Sequence, residues 1–183
     1  YAVDVDAAVS AVTTAVGEGR REAELPGTEL PVPETRGDLA AVDQVIGSFT
    51  TYYPCCAPRA QNIARMAEIV DGTVVAPGET FSLNEAAGER TLERGFVEDG
   101  AIVDGVLEMQ VGGGVSQFST TLLNAVWFAG LPSLEHQPHS VYISRYPPGR
   151  EATLNWGSID NKWRNDTGHP VVVRARTTGS SVT

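Results

Sequence analysis

Apolar residues recur at helical spacing in three parts of this chain. The first stripe consists of four valines that are four, three and four residues apart, at positions 5, 9, 12 and 16. This spacing predicts an amphipathic helix, with Asp4 or Asp6 available as its N-cap. Gly17 or Gly19 is predicted to end it, since glycine readily adopts the left-handed backbone that closes a helix.

Two further helices are predicted later in the chain. One covers Pro58 to Val70, because proline suits the first helical position and apolar residues follow at helical spacing. Asp71-Gly72 closes it. The other covers about residues 115–129, where Phe118 begins an apolar face that continues at positions 122, 125 and 129. It directly follows three consecutive glycines, Gly112 to Gly114.

Short runs of β-branched and aromatic residues predict strands between these helices. The predicted strands are Arg20 to Leu25 (an edge strand), Val45 to Tyr53, Thr73 to Val75, Ala101 to Val103, Ser140 to Ser144, Ala152 to Trp156, Val171 to Ala175 and Ser181 to Thr183. Because the strands are short and each lies near a turn signal, the predicted fold class is α+β. A few helices would pack on short, mainly antiparallel strands.

Composition narrows the functional classes. The chain has 183 residues, 42% hydrophobic and 20% charged, which is typical of a globular protein. With 13 Lys and Arg against 23 Asp and Glu, its net charge of −10 disfavours binding to nucleic acid. No apolar run reaches the roughly 20 residues that a membrane-spanning helix needs, and no signal peptide is visible. The chain begins mid-pattern, so we expect a piece of a longer protein.

The glycine-led turn into Ser116 carries the first candidate chemistry. Glycines let backbone N–H groups approach a ligand closely, and a helix start favours developing negative charge. A serine there, with a histidine placed before a following strand, is an arrangement that activates a nucleophile for acyl transfer. His139 is the preferred base and His136 the alternative. The alternative interpretation is that Ser116 only caps the helix after a glycine turn.

The only two cysteines, Cys55 and Cys56, are adjacent. Outside the cytosol they would be candidates for a vicinal disulfide that rigidifies the turn. Two neighbouring thiolates make a poor metal site without further ligands, since they cannot complete a tetrahedron. A packed structural pair and a reactive thiol are the remaining alternatives.

The loop that ends in Pro148-Gly149-Arg150 presents a guanidinium whose fork suits a carboxylate. Arg150 would hold the carboxylate of a substrate or form an internal salt bridge. Asp160 would orient a histidine or pair with Arg150, and the sequence does not choose. We find no metal-ligand spacing and no phosphate-binding loop in the sequence, so neither a metal nor a cofactor is predicted.

Several ordered motifs together resemble the VanW domain family, which is named for an accessory protein of vancomycin-resistance clusters. The resemblance runs from about Phe49 to Val173. Its motifs are Asn62-Ile63-Ala64, Gly72 to Ser82, Gly88 to Thr91, Arg94-Gly95-Phe96, Gly112 to Ala125, His136 to Ser140 and Pro148 to Thr153. The style of the sequence is similar to that of actinobacterial members.

The resemblance implies a domain organisation and a location. Residues 1–35 look like the C-terminal part of a peptidoglycan-binding-like domain, 36–47 would be a linker, and 48–183 the VanW-like domain. The family implies an extracytoplasmic protein at the cell wall, anchored to the membrane only through a segment outside this chain. Peptidoglycan or its stem peptides are the expected partners; the oligomeric state is left open.

The resemblance also implies residue roles. Many members carry cysteine at the position of Ser116, and some of those are credited with L,D-transpeptidase activity on peptidoglycan. By position, Ser116 would be the nucleophile and His139 or His136 its base. The backbone of Gly113 and Gly114 would supply an oxyanion site. The expected substrate-binding residues are these two glycines together with Gln117, Thr120 and Arg150.

Two hypotheses follow. In the first, the domain binds peptidoglycan or a partner without chemistry, since the family's cysteine is replaced by Ser116. In the second, it is an acyl transferase that uses Ser116 with His139, although a hydroxyl needs a well-placed base far more than a thiol does. A third idea is that the Cys55-Cys56 pair supplies the missing thiol.

Overall fold

The computed structural model describes residues 2–3, 5–24, 27–28, 39, 42–103 and 105–183. The chain divides into two units, Tyr1–Thr35 and Arg36–Thr183. Within the described parts, no helix is both long and apolar enough to span a membrane.

The described residues of the first unit form one helix and two short strands. Helix α1 covers Val5–Gly17 and confirms the first predicted helix. Strands β1 (Ala2–Val3) and β2 (Gly27–Thr28) pair antiparallel. The predicted edge strand from position 20 is wrong over residues 20–24, and Leu25 lies outside the described residues.

The valine stripe of α1 does not form a buried face. All four valines are between 45% and 70% exposed, whereas Ala15 is the buried side chain of this helix. Asp6 lies in the first turn and so is not the N-cap; Asp4 lies outside the described residues. Gly17 ends the helix, and Gly19 follows with φ of 69°.

The second unit is built from three helices and nine short strands in the part of the chain that the structure describes. The helices are α2 (Pro58–Val70), α3 (Leu83–Ala87) and α4 (Ser116–Phe128). The strands are β3 (Thr51–Tyr52), β4 (Val74–Val75), β5 (Thr80–Ser82), β6 (Glu98–Val103), β7 (Val106–Val111), β8 (Ser133–Glu135), β9 (Lys162–Arg164), β10 (Val171–Val172) and β11 (Ser181–Val182).

All strand pairings are antiparallel and form small sheets. Strands β5, β9 and β8 make a three-stranded sheet in that order, while β3 pairs with β11, β4 with β10 and β6 with β7. The β6–β7 hairpin aligns Glu98 with Val111 at its open end. Helices mixed with short antiparallel strands make this an α+β fold, as predicted.

The core lies between α2, α4 and the three-stranded sheet. Helix α2 buries its predicted stripe completely at Ile63, Met66 and Val70, because these positions share one face of the helix. Trp163 of β9 is buried and stacks on Phe81 of β5, with ring centroids 5.2 Å apart. Burial of such side chains supplies the main driving force for folding.

Helix α4 is buried on nearly every side. Its apolar residues join the core, but the buried set also contains five polar side chains, Gln117, Ser119, Thr120, Thr121 and Asn124. A buried polar group is costly unless it is hydrogen-bonded. The segments packed around α4 are therefore the ones that provide these partners.

Four predicted strands of the second unit differ from the structure, and one of them, Val171 to Ala175, is a strand only at Val171–Val172. Val45 to Tyr53 is a strand only at Thr51–Tyr52, and Ser140 to Ser144 has no strand. Ala152 to Trp156 is also wrong, apart from an isolated bridge of Asn155 with Ile159. The physical reason is that backbone groups in this last segment bond to side chains of α4 instead of to a neighbouring strand.

Candidate functional site

The glycine turn before α4 has a conformation that only glycine adopts easily. Gly112 and Gly114 have φ of 84° and 90°. At Gly113, an added Cβ would lie 2.1 Å from the carbonyl oxygen of Asp99. The N–H of Gly113 donates to the carbonyl of Gln110 at 3.0 Å, so this donor of the predicted oxyanion site is already bonded.

Ser116 is the first residue of α4 and is half-buried. Its Oγ accepts a hydrogen bond from the backbone N–H of Leu154 at 3.1 Å. It is not the N-cap of the helix, since Val115 occupies that position and makes no side-chain cap bond. The hydroxyl thus ties a distant loop to the helix start.

Ser116 is the first of three residues of α4, four positions apart, that form hydrogen bonds with residues 150–154. One turn further, Oγ1 of Thr120 bonds both the N–H and the carbonyl of Ala152, at 3.0 and 3.3 Å. Another turn on, Asn124 donates to the carbonyl of Arg150 at 2.9 Å. Four helical residues rise about 6 Å and two extended residues about 6.6 Å. Every fourth residue of α4 therefore meets every second residue of the segment 150–154.

A second polar stripe of α4 faces strand β3. Gln117 is 1% exposed and donates from Nε2 to Thr51 Oγ1 and to the carbonyl of Tyr52, both at 3.0 Å. Thr121 bonds Thr51 at 2.7 Å. Both Gln117 and Thr120, predicted to contact substrate, are thus buried and bonded within the protein; their role in binding stays a prediction.

His139 forms a close pair that the sequence analysis did not predict. Its Nδ1 lies 2.7 Å from Oε2 of Glu151, and the two side chains are 6% and 12% exposed. The imidazole also stacks on Tyr146, with ring centroids 5.8 Å apart. Among the described residues, Nε2 of His139 has no hydrogen-bond partner. Since Glu151 fixes Nδ1, Nε2 is the nitrogen left for a ligand.

Tyr146 and Arg145 lie next to the pair of His139 and Glu151. Burial raises the pKa of Tyr146 to about 12, while the positive charges of Arg145 and Arg59 act to lower it. The Arg145 guanidinium lies 5.4 Å from the centre of the Tyr146 ring. We call His139, Tyr146, Glu151 and Arg145 the histidine cluster.

The histidine cluster and Ser116 lie on two sides of one extended segment. Residues 150–154 bond α4 through Arg150, Ala152 and Leu154, and on the other side Thr153 donates to the carbonyl of Gln137 at 2.7 Å. In the described part of the chain, no hydrogen bond joins Ser116 to His139 or His136. The predicted nucleophile and bases are neighbours through this segment rather than direct partners.

His136 and Arg150 point to other surfaces. His136 is exposed, and its Nδ1 lies 3.3 Å from Ser133 Oγ. The Arg150 guanidinium lies 5.2 Å from the centre of the Phe128 ring, at the last residue of α4. Ser116 starts that helix, about 18 Å away at 1.5 Å per residue. The structure therefore does not bring Arg150 to Ser116.

The predicted internal partners of Arg150 and Asp160 are corrected by the structure. No described carboxylate lies within salt-bridge distance of Arg150. Asp160 is buried and accepts from Ser82 Oγ at 2.5 Å and from the N–H of Asn84 at 2.9 Å, at the start of α3. It orients no histidine, because these buried donors already hold its carboxylate.

The cysteines are exposed free thiols with their sulfur atoms 2.8 Å apart. They form the turn between β3 and α2. The described residues contain no cluster of three or more His, Cys, Asp or Glu side chains suited to a metal ion. The disulfide stays a prediction.

Glu151 and Tyr146 are the site residues that sequence reasoning missed. Both lie in or directly after the loop that presents Arg150, but a glutamate twelve residues after a histidine is no recognised spacing. The only signal was their position in a proline- and glycine-rich loop.

The family assignment rests on a sequence model that describes a VanW like protein and matches residues 58–183, which include the glycine turn, α4 and the histidine cluster. The chain belongs to this VanW family. This confirms the resemblance drawn from the motifs.

Two relatives agree with it. The chain is 37% identical over 169 residues to the uncharacterized protein YoaR of Bacillus subtilis (strain 168), covering 91% of this chain and 55% of that protein. It is 29% identical over 111 residues to the vancomycin B-type resistance protein VanW of Enterococcus faecalis (strain ATCC 700802 / V583), covering 58% of this chain and 40% of that protein. This VanW chain thus spans about half the length of the relatives it matches. No solved structure matches it.

Proposed function

We propose that this VanW domain serves a cell-envelope protein outside the cytoplasm and binds peptidoglycan or its stem peptides without acyl transfer. The single observation that supports the absence of acyl transfer is the hydrogen bonding of the Ser116 hydroxyl. Its Oγ accepts from Leu154 N–H and, among the residues that the structure describes, has no histidine as hydrogen-bond partner. A serine hydroxyl attacks a carbonyl only when a base removes its proton.

Charge and side-chain availability support recognition of a peptide. Arg150 carries a guanidinium without a carboxylate partner in the described part of the chain, in a protein of net charge −10. Such a group suits the carboxylate of a stem peptide. Because residues 150–154 cover α4 between Ser116 and Arg150, a carboxylate held by Arg150 would bind at the C-terminal end of the helix.

A second candidate function, an acyl transferase of the L,D-transpeptidase kind, is favoured by one observation. The pair of His139 with Glu151 leaves Nε2 free, which is how an imidazole base is oriented. For activity, a movement of residues 150–154 would have to bring this nitrogen to Ser116 Oγ.

The test compares the protein with Ser116→Ala, Ser116→Cys and His139→Ala, and uses Ser158→Cys as a control for an added exposed thiol. Each is incubated with purified peptidoglycan for sedimentation and with tetrapeptide-stem muropeptides for mass spectrometry of cross-links. We expect the parent and Ser116→Ala to co-sediment equally and to form no cross-links.

The outcomes separate the two candidates. Cross-links made by the parent and lost in both Ser116→Ala and His139→Ala would establish the transferase. Cross-links made only by Ser116→Cys, and not by Ser158→Cys, would show a competent fold without chemistry in this chain. Failure of the folded parent to sediment with peptidoglycan would overturn the recognition proposal.

A further inference from the structure

The turn between β3 and α2 holds two adjacent thiols in an uncommon conformation. Cys56 has φ of 69°, and it is the one non-glycine residue with positive φ in the part of the chain that the structure describes. Residues other than glycine adopt this region at a cost, and such positions concentrate at functional sites. The turn thus maintains a strained backbone at a residue that carries a reactive side chain.

Two prolines restrict the turn on either side. Pro54 precedes Cys55 and Pro58 begins α2, so the chain enters and leaves the turn with fixed φ angles. Ala57, directly before Pro58, has the extended backbone that proline favours in its neighbour, with φ of −84° and ψ of 152°. The restricted backbone limits the separation of the two thiols.

The sulfur atoms already lie within reach of each other. They are 2.8 Å apart, and both cysteines are exposed to solvent. A disulfide requires an approach to about 2.05 Å. The sulfur atoms must therefore come about 0.8 Å closer, and solvent exposure gives an external oxidant access to either sulfur.

We propose that Cys55 and Cys56 are a reversible redox-modification site, which a disulfide of a small thiol or of a thiol oxidoreductase closes to a vicinal disulfide. One cysteine thiolate attacks the external disulfide, forms a mixed disulfide and releases one thiol. The neighbouring cysteine loses its proton to solvent and attacks the sulfur of the first cysteine, which displaces the second external thiol and closes the vicinal disulfide. Two cysteine thiols are oxidised, and one external disulfide is reduced to two thiols.

Stabilisation of the fold does not explain such a ring. The stabilising effect of a disulfide through chain entropy grows with the loop it closes, and this loop contains only the two cysteines. Exposed and strained disulfides are moreover the readily reduced ones. The ring is therefore suited to repeated opening and closure.

The turn borders the candidate site through both of its neighbouring elements. Strand β3 receives the hydrogen bonds of Gln117, and Arg59 at the start of α2 packs against Gly114. Arg59 also pairs with Asp99 at 3.2 Å. A change of the turn thus acts on two contacts that hold the first turn of α4, whichever function that site has.

The test treats the protein with excess oxidised glutathione and follows its intact mass, alongside Cys55→Ser and Cys56→Ser as matched single-thiol controls. We expect the parent to lose two hydrogen atoms, to resist alkylation and to recover with dithiothreitol. Each single variant should keep a glutathione adduct. The hydrogen bond to Cys55 and, as a smaller cause, burial raise the pKa of Cys56. Because the thiolate is the attacking form, closure should accelerate as the pH rises.

Phenylarsine oxide provides a second measurement, because trivalent arsenic bonds two close thiols at once. We expect the parent to bind it about 100-fold more tightly than either single variant, as bivalent attachment does. Glutathione adducts or intermolecular dimers on the parent, without the closed species, would overturn the proposal. So would equal arsenical affinity in all three proteins. Neither result affects the proposed binding to peptidoglycan, which is measured without oxidant.

Discussion

The start of α4 and the loop from His139 to Glu151 use their polar side chains in opposite ways. At the start of α4, Ser116 and Thr120 form hydrogen bonds with backbone groups of the same domain. In the loop, His139 keeps one ring nitrogen free while Glu151 holds the other. The first region has the more conspicuous sequence motif, yet the second has the side-chain atoms that are free to act.

This difference shows that a sequence motif can position reactive side chains elsewhere instead of supplying them itself. The three glycines permit a tight backbone against Asp99 and Arg59, and the polar stripe of α4 attaches the segment of residues 150–154. That segment also carries Glu151, which orients His139. The motif thereby positions the histidine cluster, even though its own side chains are already bonded.

The largest expected effect tests the glycine turn. Gly113→Ala places a Cβ 2.1 Å from the Asp99 carbonyl oxygen, and because both partners are backbone, neither can turn away. We expect a loss of about 3 kcal/mol in the free energy of unfolding, measured by urea denaturation. Gly179→Ala, which has open space around it, is the control and should change stability by less than about 0.5 kcal/mol. Equal effects in the two variants would contradict a structural role of the turn.

The next effect tests burial in the histidine cluster through alkaline pH. Tyr146 in the unfolded chain ionises near 10.0, and in the folded protein only near a pKa of about 12. Its stabilisation is complete below pH 10 and is lost as the pH rises towards 12, because the unfolded state releases its proton first. This loss amounts to between about 2 and 3 kcal/mol.

Tyr146→Phe provides the comparison, since phenylalanine fills the same space without a hydroxyl. We expect urea unfolding of the parent to weaken more steeply than that of Tyr146→Phe between pH 10 and pH 12. Parallel pH profiles would show that the phenol is not buried as described.

The smallest effect tests the polar stripe of α4. Thr120→Val keeps the shape of the side chain but leaves the buried N–H and carbonyl of Ala152 without their partner. We expect a loss of about 2 kcal/mol in thermal or urea unfolding. Thr80→Val, at the exposed first residue of strand β5, is the matched control, expected to differ by less than about 0.5 kcal/mol. A neutral Thr120→Val would mean that residues 150–154 are held in some other way.

Prediction from the sequence succeeded where the signal is local. Helix α2 has the predicted bounds and α4 nearly so, because a proline start and a regular apolar stripe depend only on nearby residues. Strands β5, β8 and β9 were not predicted, since each has three residues and exists through pairing with a distant partner. The exposed strand β7 was also missed.

The site shows the same limit. Ser116, His139 and the cysteine pair were identified from residue type and neighbours. The partner of Ser116 lies 38 residues away, and the predicted strand at residues 152–156 would have assigned those backbone groups to a sheet. Arg150 was assigned to substrate binding together with the glycine turn, but the length of α4 separates it from Ser116.

By itself, the sequence determined the family, the α+β class, the two long helices of the VanW domain and the adjacency of the two thiols, because all of these depend on residue order and short-range periodicity. Only the tertiary structure decided which polar groups are already bonded and which remain free. Most of those partners come from separate segments of the chain, because a buried polar group is costly unless it is hydrogen-bonded.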